Sequence, residues 1–419
     1  MQTDFYYLDF LADFSCKCGA CRRTCCARHD WDIAMTSAEY DGALVRAAAF
    51  RATGDAGDAR PSALAAIKGL KPGADGLVRL STNEQGTCSL LDGEGLCSWR
   101  RQLGHDLCPI CRDYPVMRTR IFESEFACPS GGCEAVLEAL LNRQGCLELR
   151  TQPLTREELA EPRTFELDVS RDDAGPDSLF GAYPQVLEMA VDVLQDERRS
   201  LDQRMAILVT QLDVVSKMVD IGQQGRIAAC LRSMADEGRV DAMVRGFGLD
   251  RREGNPAVRV CSELYGCCLA SETYAPMAQR VLDNLGFSRA SRNPRAKVRL
   301  RLSAPGRLAE RREACRPTLE RRSGFLSRVM LDTFMHSGVP LAGPNPWAST
   351  RYFAVCYALI KFGIAGYFDG DPSDDELVDF LVLALRAFEH NGTFYRDTVR
   401  WMDGLGFTDA QDFVRTVMW

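Results

Sequence analysis

Apolar positions recur every three or four residues through the second half of the chain, as in Leu201, Met205, Leu208, Leu212 and Val215. That spacing lays one apolar stripe along an α-helix, the pattern of helices packed on a shared core. It predicts helices over Leu179–Gln195, Ser200–Ile221, Gln224–Gly246, Pro256–Ala270 and Tyr274–Leu285. Five more follow over Arg307–His336, Trp347–Tyr367, Asp374–Glu389, Thr393–Gly404 and Asp409–Met418. No internal repeat of fixed period stands out.

The first third reads differently. Phe5, Tyr6, Leu8, Phe10, Leu11 and Phe14 are apolar without a period that separates strand from helix. Short helices are predicted from Thr36 to about Arg51, over Ser62–Leu70 and over Glu134–Asn142, with a loop over Ala52–Asp58. Thr87–Leu91 and Leu96–Trp99 flank Asp92-Gly93-Glu94-Gly95, which predicts a β-hairpin. With Leu91 opposite Leu96 and Leu90 opposite Cys97, Cys88 and Cys97 would share a face. Residues 149–177 are rich in Pro, Glu and Asp and only weakly periodic. The expected fold is therefore mainly α. A small cysteine-rich metal-binding domain with a short β-hairpin (residues 1–150) and a linker (151–178) precede a multi-helix domain (179–419).

Charge and motifs exclude several functions. A formal charge of −7 argues against a general nucleic-acid binder, which needs surplus lysine and arginine for phosphates. The N-terminus has no basic segment followed by an apolar one, and the most apolar stretch, Tyr352–Tyr367, is interrupted by Lys361. A soluble, cytoplasmic protein without membrane contact is expected. No G-x-G-x-x-G opens a helix after a strand, and no P-loop is present. His29, His105, His336 and His390 are too scattered for a triad; His29 and His105 lie among the cysteines and are candidate substitute ligands, with solvent exposure the default expectation.

The distinctive chemistry is sulfur. Eleven of the 18 cysteines fall between residues 16 and 133: Cys16, Cys18, Cys21, Cys25 and Cys26, then Cys88, Cys97, Cys108, Cys111, Cys128 and Cys133. A reducing cytoplasm disfavours disulfides, so a metal is the leading explanation. Zinc knuckles and iron–sulfur ligand sets both use C-x2-C units, and spacing does not separate them. Cys261, Cys267 and Cys268 lie in an amphipathic helix and read as core thiols, as do Cys230, Cys315 and Cys356.

With these residues in view, the chain resembles the flagellin lysine N-methylases. The likeness rests on Phe14-x-Cys16, Cys21-Arg22-Arg23-Thr24-Cys25-Cys26, Cys88-x-Leu90-Leu91-Asp92-x-Glu94-Gly95-Leu96-Cys97, Leu103-Gly104, Cys111-Arg112-x-Tyr114-Pro115 and Cys128-Pro129. It continues through Tyr357-Ala358-Leu359-Ile360-Lys361. The cysteine segment is also similar to small proteins suspected of chelating zinc or iron.

The resemblance implies methyl transfer from S-adenosylmethionine to flagellin lysines and a cysteine-bound [4Fe-4S] cluster. It implies ligands among Cys16, Cys21, Cys25, Cys26, Cys88, Cys97, Cys111 and Cys128, with Cys18, Cys108 and Cys133 as additions. Arg112 is a candidate for the donor carboxylate and Tyr114 for orienting the amine, with Asp92 a third candidate catalytic residue. The C-x3-C-x2-C order usual for radical enzymes using this donor is absent. The competing reading is a zinc-stabilised, non-catalytic adaptor that holds flagellin.

Overall fold

The computed structural model describes residues 3–27, 33–53, 63–80, 82, 87–104, 106–155, 164–247, 256–289, 300–389 and 392–419. His29, His105 and His390, and the loop expected over Ala52–Asp58 from residue 54 on, lie outside the described residues. The protein is mainly helical with small sheets.

The chain opens with strand β1 (Asp4–Leu8), a 3-10 turn over Asp9–Asp13 and the first cysteine loop. A small unit follows: β2 (Ala34–Thr36), helix α1 (Ser37–Thr53), α2 (Ala63–Ile67), β3 (Leu77–Arg79), α3 (Ser98–Leu103) and α4 (Pro109–Asp113). It has its own core around Met35, Ile67, Val78, Leu90 and Trp99. Next come β4 (Val116–Ile121), β5 (Ser124–Pro129), α5 (Glu134–Asn142), β6 (Leu149–Pro153) and β7 (Leu167–Val169). The last two lie within or beside the segment expected to be a linker. They close a five-stranded sheet of order β6-β1-β5-β4-β7.

In that sheet β1 runs parallel to β5 and antiparallel to β6, with Tyr6 opposite Phe126 and their rings stacked at 4.7 Å. Phe126 meets Tyr183 edge-on at 5.0 Å, which docks the sheet on the helices.

Those helices are α6 (Tyr183–Leu194), α7 (Leu201–Asp220), α8 (Ile227–Met234), α9 (Glu237–Gly246), α10 (Pro256–Cys268) and α11 (Ala275–Asn284). After the short pair β8 (Phe287–Arg289) and β9 (Leu300–Leu302) come α12 (Pro305–Arg321), α13 (Ser323–His336) and α14 (Pro346–Tyr367). The chain ends in α15 (Asp374–Glu389), α16 (Gly392–Gly404) and α17 (Ala410–Val417). Ser200 and Gln203 close a reciprocal capping box at the start of α7.

Helix α14 is buried on every side from Ala348 to Gly366 and is the axis of the large core. Lys361 is inside it, its Nζ 2.5 Å from Asp202 Oδ1 and 3.1 Å from the Val417 carbonyl, which ties α14 to α7 and α17. Among the described residues no helix is long and apolar enough to cross a membrane. Cys261, Cys268 and Cys356 are core thiols as expected, whereas Cys267 is exposed.

Three expectations are corrected. Residues 224–246 form a 3-10 turn and two helices, because the Asp236 side chain accepts from Arg239 N and starts a new helix. Residues 305–336 bend at Arg322, since α12 is polar and largely exposed while α13 is buried.

The third concerns the hairpin at 88–97, which is a loop closed by a single bridge. Leu91 pairs with Cys97, not Leu96, and Ser98 N donates to the Leu90 carbonyl. Asp92 Oδ1 accepts from Glu94 N and Leu96 N while Gly95 takes φ +75°, so the turn holds one more residue than expected. The backbone turns again between Cys88 and Leu91, so Cys88 does not share a strand face with Cys97.

The tight packing around α14 is testable at Gly363. A Cβ there would strike the Tyr265 hydroxyl, which is held by the Leu359 carbonyl at 3.1 Å, and the Phe380 ring. Gly363→Ala is expected to destabilise the protein by about 2 kcal/mol, read as a lower thermal midpoint; an unchanged midpoint would show that the core yields there.

Candidate functional site

The first cysteine loop is pinned to α5 by charge. Lys17 Nζ sits 2.8 Å from Glu134 and 2.7 Å from Glu138, and Arg23 N donates to Glu134 at 2.7 Å. Glu134 occupies the first turn of α5 with its side chain fully buried. Burial pushes its carboxyl up, but Lys17 and the Arg22 and Arg23 amides outweigh this and hold it below the usual range.

Arg386 of α15 reaches the same loop from behind. Its Nε donates to Gly132 O at 2.8 Å and its terminal nitrogens to Arg23 O at 2.7 Å and Thr24 O at 3.4 Å. The Cys16–Cys25 segment and Cys133, the N-cap of α5, thus form one wall on the large core.

The opposite wall belongs to the small core. Cys88 N donates to Cys26 O at 2.9 Å, so the second cysteine segment hangs on the end of the first. Cys108 caps α4, and one turn later Cys111 returns beside it with the sulfurs 3.4 Å apart. Cys97 and Cys26 pack against the same core.

Between the walls lies a cavity of about 590 Å³. Cys16, Cys18, Cys21, Cys25 and Cys133 line it from one side, and Cys26, Cys88, Cys97 and Cys111 from the other. Seven of the eight cysteines singled out by resemblance are therefore brought together. Cys128 is not: it points from β5 into the large core, where its buried sulfur lies 3.1 Å from Asp332 Oδ1. Cys133, five residues later, takes the place at the cavity, and Cys108 contacts it only through Cys111.

As free thiols, Cys21, Cys88 and Cys133 hold their protons. Burial, then Glu134 and Cys133, pushes Cys21 up to about 12. Cys88 and Cys133 are raised to about 11, burial again leading. In the Cys25–Cys26 pair, 3.9 Å apart, the hydrogen bond between them favours the Cys25 thiolate and disfavours that of Cys26, with Arg386 assisting Cys25. A bound cation would displace these protons.

Nine thiols on one cavity suit a soft metal or an iron–sulfur group. Among the described residues no three His, Cys, Asp or Glu side chains converge on a single point. Two close sulfur pairs stand here, Cys25–Cys26 at 3.9 Å and Cys108–Cys111 at 3.4 Å.

Tyr114 also faces the cavity, with Arg386 beside its hydroxyl; burial pushes it well above its ordinary value, so it stays protonated. Arg112 lines the cavity with its fork on Asp113, 2.7 Å at both nitrogens. Asp92 lies in the turn behind the wall, 2.8 Å from Arg101. Arg386 and Glu134 carry no sequence signal, because each acts through partners that only the fold brings near.

The model of the FliB lysine N-methylase C-terminal domain matches residues 188–413, more than half of the chain and nearly all of α6 to α17. No curated protein and no solved structure matches. On the extent of that match the chain belongs to the FliB lysine N-methylase family.

Proposed function

We propose that the protein is a cytoplasmic, S-adenosylmethionine-dependent lysine N-methyltransferase that acts on flagellin and carries a [4Fe-4S] cluster on its cavity cysteines. One observation carries the reading: Arg386, inside the matched segment, bonds the backbone of the loop whose thiols line the cavity. The family's domain and the sulfur site are thus built as one.

Methylation needs a neutral amine, a sulfonium methyl in line with it and a site that excludes water. The lysine nitrogen forms its bond to carbon as the carbon–sulfur bond breaks. S-adenosylhomocysteine leaves, and the ammonium proton passes to solvent. A cluster with an open iron would supply a binding point for the amino-acid end of the donor.

The chain's own residues do the rest. Arg112 takes the donor carboxylate in exchange for Asp113, since a guanidinium fork fits either carboxylate equally. Tyr114, kept protonated by burial, orients through its hydroxyl and does not act as a base. Leu90, Leu91 and Leu96 line the same cavity and keep water from the transfer.

The test is anaerobic purification, followed by incubation with flagellin and the donor. A brown protein that adds methyl groups to flagellin lysines, read by mass spectrometry, is expected. A colourless zinc protein that binds flagellin without changing its mass would leave only the adaptor.

A further inference from the structure

Nine cysteines line this cavity, and a [4Fe-4S] cluster takes four. One pair is placed for a different use. Cys108 is buried at the N-cap of α4, and Cys111 returns beside it one turn later with the sulfurs 3.4 Å apart, thiol hydrogen-bonded to thiol. Pro109 fixes the backbone between them and Arg112 N donates to Cys108 O at 3.1 Å, so the turn itself holds the two sulfurs together.

A bond between these sulfurs needs an approach of about 1.4 Å, within reach of side-chain torsion. Cys25 and Cys26 are not equivalent, although their sulfurs are 3.9 Å apart. Neighbouring Cα atoms stand about 3.8 Å apart, closer than the roughly 4.4–6.8 Å that a disulfide prefers. Access to the α4 pair is also ordered. Cys111 lines the cavity and Ile110 beside it is 39 % exposed, whereas Cys108 lies behind in the small core. Arg23, Arg100, Arg101 and Arg112 line the same cavity, so a small disulfide carrying carboxylates is the matching reagent.

We propose that Cys108 and Cys111 are a dithiol–disulfide couple that exchanges with small anionic disulfides entering the cavity. The Cys111 thiolate attacks one sulfur of the small disulfide, whose sulfur–sulfur bond breaks as one thiolate leaves. Cys108 gives its proton to solvent and attacks the Cys111 sulfur, and the second small thiolate leaves. The pair is oxidised by two electrons, and the reagent is reduced to two thiols. None of this draws on the cluster reading, and the eight other lining cysteines still outnumber a cluster's four.

The test treats full-length, anaerobically purified protein with glutathione disulfide, then quenches with acid, alkylates and maps the peptides by mass. Loss of both alkylation sites to a single Cys108–Cys111 disulfide is expected, reversed by reduced glutathione. Cys108→Ser should stop at a glutathione adduct on Cys111, and Cys111→Ser should leave buried Cys108 unmodified, with far-UV circular dichroism confirming the fold. Two thiols still alkylatable after treatment, or either one bonded to a third cysteine, overturns the couple. The map of the unaltered chain decides even where a variant fails to fold. Iron is read on the same sample: its absence overturns the cluster reading and leaves the couple standing, whereas iron with Cys111 held as its ligand does the reverse.

Discussion

Arg386→Ala is expected to destabilise the protein by about 3–5 kcal/mol and to abolish retention of the proposed cluster. Arg386 is buried, and its guanidinium serves three backbone carbonyls, Arg23 O, Thr24 O and Gly132 O, in two loops far apart in sequence. Alanine would leave each carbonyl desolvated without a donor, at about 1–3 kcal/mol apiece before relaxation. It would also free the loop carrying Cys21, Cys25 and Cys26 from its rear support, and so loosen both walls together. Arg386→Lys should recover only part, since one ammonium cannot reproduce a planar fork aimed at separate acceptors. Urea unfolding and metal content against the wild type check this; an alanine variant that matches the wild type in both would show that α15 does not organise the site.

The helices were legible because burial follows period. Leu201, Met205, Leu208, Leu212 and Val215 are all buried, as their spacing requires. The central sheet was not, because its outward face is disguised. Arg118 and Arg120 alternate along β4 with their guanidiniums over the rings of Phe5 and Phe165, so an apolar surface is covered by charged side chains. The gathering of sulfur was readable from its density between residues 16 and 133. Which sulfur faces the cavity was not: Cys128 and Cys133 lie either side of the Ser130-Gly131-Gly132 turn, and strand direction sends one into the core and the other to the site. Arg112 was singled out by its motif, whereas Arg386, an arginine within an ordinary helical stretch, could be found only through the contact it makes.

Behind the cavity, Glu389 and His336 form a buried pair of opposite pH behaviour, and Glu389→Gln is expected to separate them. Burial pushes Glu389 up to about 7 despite a 2.8 Å hydrogen bond from Thr333. The folded state therefore keeps a proton that the unfolded chain loses near its ordinary value of 4.5. Stability from this group is complete below that value and falls as pH rises through about 7.

His336, 4.0 Å away, is pushed down to about 4 by burial, against a hydrogen bond to the Cys128 backbone. The unfolded chain gains that proton first, so stability is lost as pH falls below the ordinary 6.5 towards 4. The two slopes oppose each other in the wild type and mask one another. Glutamine cannot titrate, and each tenfold change in proton concentration is worth about 1.4 kcal/mol to a group protonated in one state only. Glu389→Gln should therefore gain about 3 kcal/mol on the wild type between roughly pH 4 and pH 8. His336→Gln should move the comparison the other way, gaining on the acid side. Denaturant midpoints across that range provide the measurement, and a Glu389→Gln curve parallel to the wild type would mean that the carboxyl is already ionised inside the folded protein.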